Sequence, residues 1–568
     1  MSTPTSFFAN LRERKIGQTA VVYLGTAWVL AEALSFFSQR YNWPSFLFDQ
    51  FITIALCGLP AALITRWYQH SPPPDKKKLI LLYAINVIVL VLASYVVFLK
   101  SGETRLVKNI VSSKSVAVLP FTNLSKDPEQ EYFGDGIMED IISKLYKIAD
   151  LQVTSRTSAL MYKQTKKNIQ QIARELGVAY IVEGSVRKNG NKVRVTTRLI
   201  KAENDQNVWT ETYDKSLEDI FYLQNELSEK IANGLQVTIT ASERTRITKI
   251  PTANTQAYEY YHQGRYHLSK SGKENIQLSK NLFNQAIRED PDFTLAYVGL
   301  AEYYIAIIDW GYASANQLAD SIRLPLEAAL RLDNTLGEVY ASFGAYHLFF
   351  THDFKKSQEA FEKAIQLNPG YDYAYYHYAT LCTALKQFTK SQELITRGIH
   401  LNPLSTKFQG YKIQFYLMEH NYIQAELEVR QMLQQFPEDD FILWTLACTQ
   451  VQLEQYPKAI QTFLKRKVAS KETNWALGYA YAKMGETEKA RLILDFLIEK
   501  SKSTYLPPTF IGLLYAGLGE YEKAMDYIEV GYTQGDNWVV YFEVHPWFDP
   551  LHSNPRFQTI VRRLQNSD

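Results

Sequence analysis

Three long apolar stretches dominate the hydrophobic pattern of the first hundred residues. They cover residues 17–37, 50–67 and 79–99 and contain few charged side chains. A helix needs about 20 apolar residues to cross the roughly 30 Å hydrocarbon core of a bilayer. The pattern therefore predicts a membrane region over residues 16–100 with about three transmembrane helices. The second is the weakest, because it is short and contains Pro60.

Basic residues predict how these spans are oriented. Residues 12–15 contain three basic side chains and residues 66–78 contain four, whereas the loop between the first two spans has only Arg40. Because cytoplasmic loops carry an excess of Lys and Arg, we expect residues 1–15 in the cytoplasm, the spans in the inner membrane and the chain after residue 99 in the periplasm. If the second stretch does not span, two crossings would return the rest of the chain to the cytoplasm.

Glu32 is a carboxyl group inside the first predicted span. Such a group can mark a proton or ion path through a membrane. No second carboxylate or basic partner is predicted at the same depth, so we favour a position near the interface or a pairing between helices.

After a linker over residues 101–113, the pattern changes to short strands that alternate with helices. Residues 114–245 predict the order β-α-β-α-β-β-α, which is typical of helices packed on one mixed sheet. The last two strands are joined by Lys188 to Asn191, where Asn-Gly favours a hairpin because it accepts positive φ.

Four segments of this region carry a recognisable pattern: SVAVLPFTNLSKDPEQEYFGDGIMEDIISKL, VTSRTSALMYK, IARELGVAYIVEGSVRKNGNKVRVTTRLI and VWTETYDKSLEDIFYLQNELSEKIA. Together they resemble the TolB amino-terminal-like domain over about 130 residues. The resemblance implies a bacterial signalling or regulatory protein in which this non-enzymatic domain precedes tetratricopeptide repeats.

Candidate chemistry in this region is limited to a group of carboxylates. Asp135, Glu139 and Asp140 lie close together in the sequence. We favour a structural role, since acidic side chains in the first turn stabilise a helix. Neither a GxxxxGK[ST] loop nor a GxGxxG sequence after a strand occurs in the chain, so no phosphate-binding loop is predicted.

Regular spacing of proline predicts a helical repeat in the second half of the chain. Pro369, Pro403 and Pro437 are each 34 positions apart, which is the period of the tetratricopeptide repeat. Close-packing alanines recur at nearly the same spacing: Ala425, Ala459, Ala490 and Ala524. We expect about eight repeats over residues 254–536, stacked so that each helical hairpin buries its apolar face against its neighbours.

The first helix of each repeat is expected to line a concave groove. In the repeat register, eight side chains face this groove as candidates for binding a protein or peptide partner: Tyr373, Tyr376, Thr380, Lys407, Gln414, Trp444, Trp475 and Tyr479. Aromatic anchors dominate binding energy in such grooves. An alternative remains open, because an error of one residue in the register would place these aromatics between repeats.

Residues 537–568 are expected to cap the last repeat. His545, Asp549 and His552 could be imagined as metal ligands, but the interleaved prolines favour a capping turn and helix. With three Cys in all and no CxxC pair, no zinc site is predicted.

The predicted fold is thus mainly α, with transmembrane helices, a small α/β domain and an α-solenoid. The net charge of +2 argues against a nucleic-acid partner. We expect a membrane-anchored protein–protein interaction scaffold with no cofactor and no enzymatic activity. A regulatory or sensor component of a signalling system is the first alternative, an enzyme with an unrecognised site is the second, and self-association stays open.

Overall fold

The computed structural model describes residues 16–41, scattered positions between 52 and 89, and residues 112–125, 131–268, 273–309, 311–467 and 474–565. The chain divides into two compact units, Met1–Ile110 and Val111–Asp568.

The first unit contains one long helix, α1 (Ile16–Tyr41), which coincides with the first predicted span. Its apolar side chains are largely exposed, among them Val21, Trp28 and Val29. The predicted spans at 50–67 and 79–99 fall largely outside the described residues. No helix in the part of the chain that the structure describes is both long and apolar enough to cross a membrane. The three predicted spans are therefore not confirmed.

The second unit begins with a six-stranded mixed sheet. Its strands are β1 (Ser115–Val118), β2 (Thr122–Asn123), β3 (Gln152–Val153), β4 (Tyr180–Asn189), β5 (Lys192–Lys201) and β6 (Gln206–Ser216). The order across the sheet is β3-β1-β4-β5-β6, with β2 pairing with β4. β1 is parallel to both of its neighbours, whereas β4, β5 and β6 form an antiparallel meander.

The sequence pattern did not predict β6, because this strand lies at the edge of the sheet. β6 pairs only with β5 among the described strands, and Tyr213 is its one buried side chain. An edge strand with so little burial lacks the apolar alternation that identifies a strand. The two-residue β2 and two short helices, Arg156–Leu160 and Ala241–Thr248, were also missed.

Six helices belong to the α/β domain or follow it directly. They are α2 (Glu131–Leu145), α3 (Arg156–Leu160), α4 (Ile169–Leu176), α5 (Ile220–Gly234) and α6 (Ala241–Thr248), with α7 (Thr255–Leu268) beginning the next region. α2 and α5 pack on the sheet through a common core that contains Ile137, Ile141, Leu223 and Leu227. α4 is bounded by a capping box at Asn168 and by Gly177 in a left-handed conformation.

Eight helical hairpins follow in an unbroken stack. Each consists of two consecutive helices: α7 with α8 (Lys273–Glu289), α9 (Thr294–Asp309) with α10 (Ala315–Leu332), α11 (Gly337–Tyr346) with α12 (Phe354–Leu367), α13 (Asp372–Ala384) with α14 (Phe388–Leu401), α15 (Thr406–Met418) with α16 (Tyr422–Gln435), α17 (Asp440–Gln452) with α18 (Tyr456–Lys465), α19 (Trp475–Lys483) with α20 (Thr487–Ser501), and α21 (Pro508–Gly517) with α22 (Tyr521–Gln534). The chain is mainly helical, as predicted, and this region resembles tetratricopeptide repeats in its spacing.

A recurring contact between an aromatic ring and a glycine joins the helices of a hairpin. Phe361 of α12 is fully buried and lies against Gly344 of α11, where an added Cβ would come within 2.5 Å of the ring. Phe283 of α8 packs in the same way against Gly264 of α7. The small residue lets the two helices approach, and the ring fills the space between them.

Residues after the last hairpin form two 3-10 helices, Asn537–Tyr541 and Pro546–Leu551, and a final helix α23 (Pro555–Gln565). We call residues 535–552 the C-terminal segment.

We predict that Phe361→Ala lowers the free energy of unfolding by about 3–5 kcal/mol, because it removes a fully buried ring and leaves a cavity beside Gly344. Urea denaturation followed by circular dichroism measures the change. Leu492→Ala is the control, since Leu492 is 72% exposed and its loss should change stability by no more than about 0.5 kcal/mol. Equal effects of the two substitutions would contradict this packing scheme.

Candidate functional site

The predicted groove residues lie on the first helices of four consecutive hairpins, as the repeat register requires. They are Tyr373, Tyr376 and Thr380 on α13, Lys407 and Gln414 on α15, Trp444 on α17, and Trp475 and Tyr479 on α19. The burial of these side chains differs strongly from one end of the stack to the other.

At the C-terminal end, the concave face is already occupied by the chain itself. The Trp547 ring of the C-terminal segment lies 4.9 Å from the rings of both Trp475 and Tyr479, measured between centroids. Trp538 lies 5.5 Å from Trp475 on another side. As a result Trp475 and Tyr479 are buried, and burial raises the pKa of Tyr479. In this conformation neither side chain can meet a partner.

Further along, the same segment reaches α13. Val544 belongs to one apolar cluster with Tyr376 and Phe415. The Lys386 ammonium donates to the Glu543 carboxylate at 2.6 Å. Two further groove candidates are also buried: Thr380 donates to the Tyr376 carbonyl at 3.2 Å, and the Gln414 amide lies 3.4 Å from Thr445 of the next hairpin.

The segment also brings the last hairpin against the second. The Ala315 N–H donates to the Gly535 carbonyl at 3.1 Å, and the Asn316 amide donates to the Thr533 carbonyl at 2.7 Å. Gly535 has φ 70°, a left-handed conformation that glycine adopts without steric cost. Asn537 then reaches the Ile308 carbonyl at 3.4 Å. The stack is thereby closed on itself rather than left as an open curve.

One part of the concave face remains accessible and is lined by aromatic rings. Centroid distances are 4.3 Å from Tyr376 to Tyr411, 5.4 Å from Tyr411 to Phe441 and 6.1 Å from Phe441 to Trp444. Tyr411, Phe441 and Trp444 are half-buried. We call these four residues the aromatic ladder, which crosses three consecutive hairpins.

An exposed cation stands over this ladder. The Lys407 ammonium lies 5.0 Å from the Tyr376 ring centroid and 5.7 Å from that of Tyr411. Burial raises the pKa of Asp309 to about 6, and the Lys407 charge opposes this rise without cancelling it. His377 is buried under the ladder among the rings of Phe361, Tyr373 and Tyr376, and burial keeps its pKa well below the usual value.

The sequence register identified Tyr376, Lys407 and Trp444 but not Tyr411 or Phe441. A signal for Phe441 exists in Gly410, because a Cβ there would come within 2.3 Å of the Phe441 ring. The sequence alone does not show which glycine packs against which aromatic ring of a neighbouring hairpin.

A second group of charged residues joins the α/β domain to the solenoid. Glu139 of α2 pairs with Arg156 at 3.3 Å and with Arg265 of α7 at 3.2 Å. Arg265 also pairs with Glu302 of α9, which accepts a hydrogen bond from Tyr371. Burial by itself would raise the pKa of Glu139, but the two arginines lower it to about 2.

The contact continues along the turns between hairpins. Lys249 pairs with Asp333 at 2.6 Å, the Ser155 N–H donates to the Leu401 carbonyl at 2.7 Å, and Ser158 donates to Asn402 at 2.6 Å. The α/β domain is therefore fixed to the turns that follow hairpins two and four.

The carboxylates that the sequence singled out have structural partners. Asp135 is bound by the Lys163 ammonium at 2.9 Å. Asp140 accepts hydrogen bonds from Gln224 at 2.8 Å and from Tyr258. Glu139 and Asp140 therefore belong to the charged junction, because they contact Arg265 and Tyr258 of α7, whereas Asp135 pairs within the α/β domain.

The histidines near the end of the chain do not form a metal site with Asp549. Across the described residues, no group of three His, Cys, Asp or Glu side chains is arranged to hold a metal. His545 is buried and caps the second 3-10 helix by accepting from the Trp547 N–H at 3.4 Å, and burial lowers its pKa to about 3.

Two comparisons place the α/β domain and part of the chain among known proteins. The family model described as HilA/YgeH-like transcriptional regulator, second domain, matches residues 112–230. This match does not confirm the resemblance to the TolB amino-terminal-like domain. A protein of Rhizobium meliloti (strain 1021), provisionally named adenylate cyclase 3, is 36% identical over 218 residues, which cover 38% of this chain and 37% of the relative. The chain thus spans little more than a third of that relative's length.

Solved helical-repeat structures are similar at low identity. The human IFIT1 dimer with m7Gppp-AAAA covers 61% of this chain and 80% of its own, at 16% identity and a TM-score of 0.37. A thermophilic TPR protein of Thermus thermophilus covers 37% of this chain and 99% of its own, at 12% identity and a TM-score of 0.29. Because both TM-scores are below 0.5, neither structural similarity supports a conclusion about this chain.

We predict that Trp547→Ala increases hydrogen exchange in α19 and α21, because loss of this ring uncovers Trp475 and Tyr479. The free energy of unfolding should fall by about 3–5 kcal/mol. Hydrogen–deuterium exchange with mass spectrometry locates the change. Tyr521→Ala, at an exposed position on α22, is the control. Exchange in α19 that stays at the wild-type rate would show that the segment does not cover this face.

We predict that Glu139→Gln destabilises the chain by about 3 kcal/mol at neutral pH, because it leaves the partly buried Arg156 without its carboxylate and removes one of the two carboxylates that pair with Arg265. The pKa of Glu139 is lowered in the folded state, so its contribution is complete above pH 4.5 and is lost as the pH falls towards 2. The difference between wild type and variant should therefore shrink over that range.

Urea denaturation at a series of pH values measures this difference. Glu203→Gln, which removes an exposed carboxylate from the same domain, should change stability by no more than about 0.5 kcal/mol at any pH. A constant gap between wild type and Glu139→Gln from pH 7 to pH 3 would show that Glu139 is not the ionised partner of the arginines.

Proposed function

We propose that this chain is a protein-interaction scaffold that binds a peptide segment of a partner protein on the aromatic ladder. The observation that carries the proposal is the ladder itself, four rings that cross three hairpins, of which three remain half-buried while the end of the concave face is filled. Half-exposed aromatic rings gain free energy when a partner completes their burial.

Charge favours one kind of partner segment. Lys407 is exposed, its ammonium lies over Tyr376 and Tyr411, and no ion pair of Lys407 occurs among the residues that the structure describes. An extended segment with an acidic side chain beside apolar ones would place its carboxylate at Lys407 and its apolar groups on the rings. On this proposal the chain acts by binding and carries no catalytic centre or cofactor.

The first unit fits an anchoring role in the same proposal. α1 exposes Val21, Trp28 and Val29, side chains that favour an apolar environment. We propose that residues 16–100 hold the chain in the inner membrane and that the solenoid faces the periplasm. Reporter fusions at Asp75 and at the C-terminus distinguish this topology from a cytoplasmic solenoid.

A regulatory role is the second candidate, and two observations favour it. The α/β domain matches the second domain of a transcriptional-regulator family. It is also fixed to the solenoid by the ion pairs that Arg265 makes with Glu139 and Glu302. A conformational change in one part would therefore alter the other. This role is compatible with partner binding on the ladder and adds a signal to it.

We predict that a photo-crosslinking residue at position 411 captures a discrete partner in cells, because Tyr411 lies in the centre of the ladder. The same residue at position 492, on an exposed part of α20, is the matched control. Lys407→Glu should reduce capture at position 411 by about fivefold or more, since it reverses the charge that the partner meets. Identical partners at both positions, or capture that Lys407→Glu leaves unchanged, would contradict the proposal.

A further inference from the structure

A cavity of about 180 Å³ lies where α2 and α5 of the α/β domain meet the first hairpins of the solenoid. This volume is far above the roughly 10–15 Å³ that one water molecule needs. Its walls contain both charged and apolar side chains, and two of the polar groups are incompletely bonded.

The first of these is the ammonium group of Lys144. Lys144 is 5% exposed, and its Nζ donates to the Ile247 carbonyl at 2.9 Å. No ion pair of Lys144 occurs among the residues that the structure describes, and only one of its three N–H donors has a partner in that set. Burial, with a smaller contribution from Lys147, lowers its pKa to about 8. Lys144 lines the cavity. Its ammonium is still a cation at neutral pH and has N–H donors without a partner in the described part of the chain.

The second is the side-chain amide of Gln224, which is 1% exposed. Its Nε2 donates to Asp140 at 2.8 Å and to the Tyr258 hydroxyl at 2.9 Å. These two bonds fix the orientation of the amide and direct Oε1 elsewhere. Within the described part of the chain, Oε1 is buried and receives no hydrogen bond. A buried acceptor without a donor costs about 1–3 kcal/mol, so a ligand that donates to it gains free energy.

The other charged groups at the cavity are of both signs and largely satisfied. Lys249 is paired with Asp333 at 2.6 Å, Asp140 is held by Gln224 and Tyr258, and Lys147 donates to the Arg246 carbonyl at 3.2 Å. Ile250, Leu295 and Leu336 form an apolar part of the wall, and Ser143, Asp292 and Thr294 are further polar lining residues. Because three aspartates line the cavity together with three lysines, a multiply charged anion such as phosphate would be repelled as well as attracted.

We propose that this cavity binds a small zwitterion, an α-amino acid with an aliphatic side chain. Its carboxylate would accept hydrogen bonds from Lys144, its ammonium would donate to Gln224 Oε1, and its side chain would contact the wall of Leu295 and Leu336. Bound there, the ligand touches both the α/β domain and the solenoid and so stabilises their junction.

Isothermal titration of the intact chain with L-leucine tests this proposal. We expect saturable binding, and we expect L-leucinamide, which lacks the carboxylate, and 4-methylpentanoate, which lacks the ammonium, to bind at least about tenfold more weakly. Lys144→Met and Gln224→Leu should each weaken L-leucine binding by about tenfold or more, whereas Lys192→Met, at an exposed position in the β4–β5 hairpin, should leave it unchanged.

Three results would overturn the proposal. The first is the absence of saturable binding for L-alanine, L-valine, L-isoleucine and L-leucine alike, which would mean that the cavity holds water only. The second is binding that both variants leave unchanged while circular dichroism shows them folded. Inorganic phosphate is titrated in parallel, and binding of phosphate without leucine would also contradict a zwitterion site.

Discussion

A helical hairpin cannot bury its apolar face alone, and the architecture of this chain follows from that constraint. Each hairpin uses the next one as its cover, which leaves the first and last hairpins and the concave face uncovered. The α/β domain covers the start of the stack through Glu139, Arg265 and Glu302. The C-terminal segment covers the end, with Trp547 and Phe548 buried in the same core as Trp475. Domain and segment are therefore structural parts of the solenoid rather than appendages.

This arrangement limits the part of the concave face that can bind a partner. A groove that is open along its length could take an extended peptide anywhere, but here Trp475 and Tyr479 are already in contact with the chain's own Trp547. What is left is the part of the ladder from Tyr411 to Trp444, because Tyr376 is buried in one cluster with Val544 of the segment. This short surface lies beside the exposed Lys407. A scaffold of this kind would bind a short peptide motif with an acidic side chain at Lys407 rather than any extended peptide.

Much of the fold follows from local patterns in the sequence. The 34-residue spacing of Pro369, Pro403 and Pro437 corresponds to successive hairpins, and Asn168 and Gly177 bound α4 as their capping chemistry requires. What the sequence does not reveal depends on contacts between distant positions. Glu139 and Arg265 are 126 residues apart, and nothing local to Trp547 predicts that it lies on α19. The burial of Trp475, Tyr479 and Tyr376 could not be predicted for the same reason, because these side chains contact a segment outside the repeats.

The central claim is that the C-terminal segment closes the stack by holding its eighth hairpin against its second. Pulsed electron paramagnetic resonance between spin labels at Gln317 and Gln534 tests it most directly, because both side chains are exposed and flank the same cleft. A closed stack gives one narrow distribution at short distance, and removal of residues 536–568 should broaden it and shift it to longer distances. A broad, long distribution in the intact chain would show that the solenoid is open and would contradict the account.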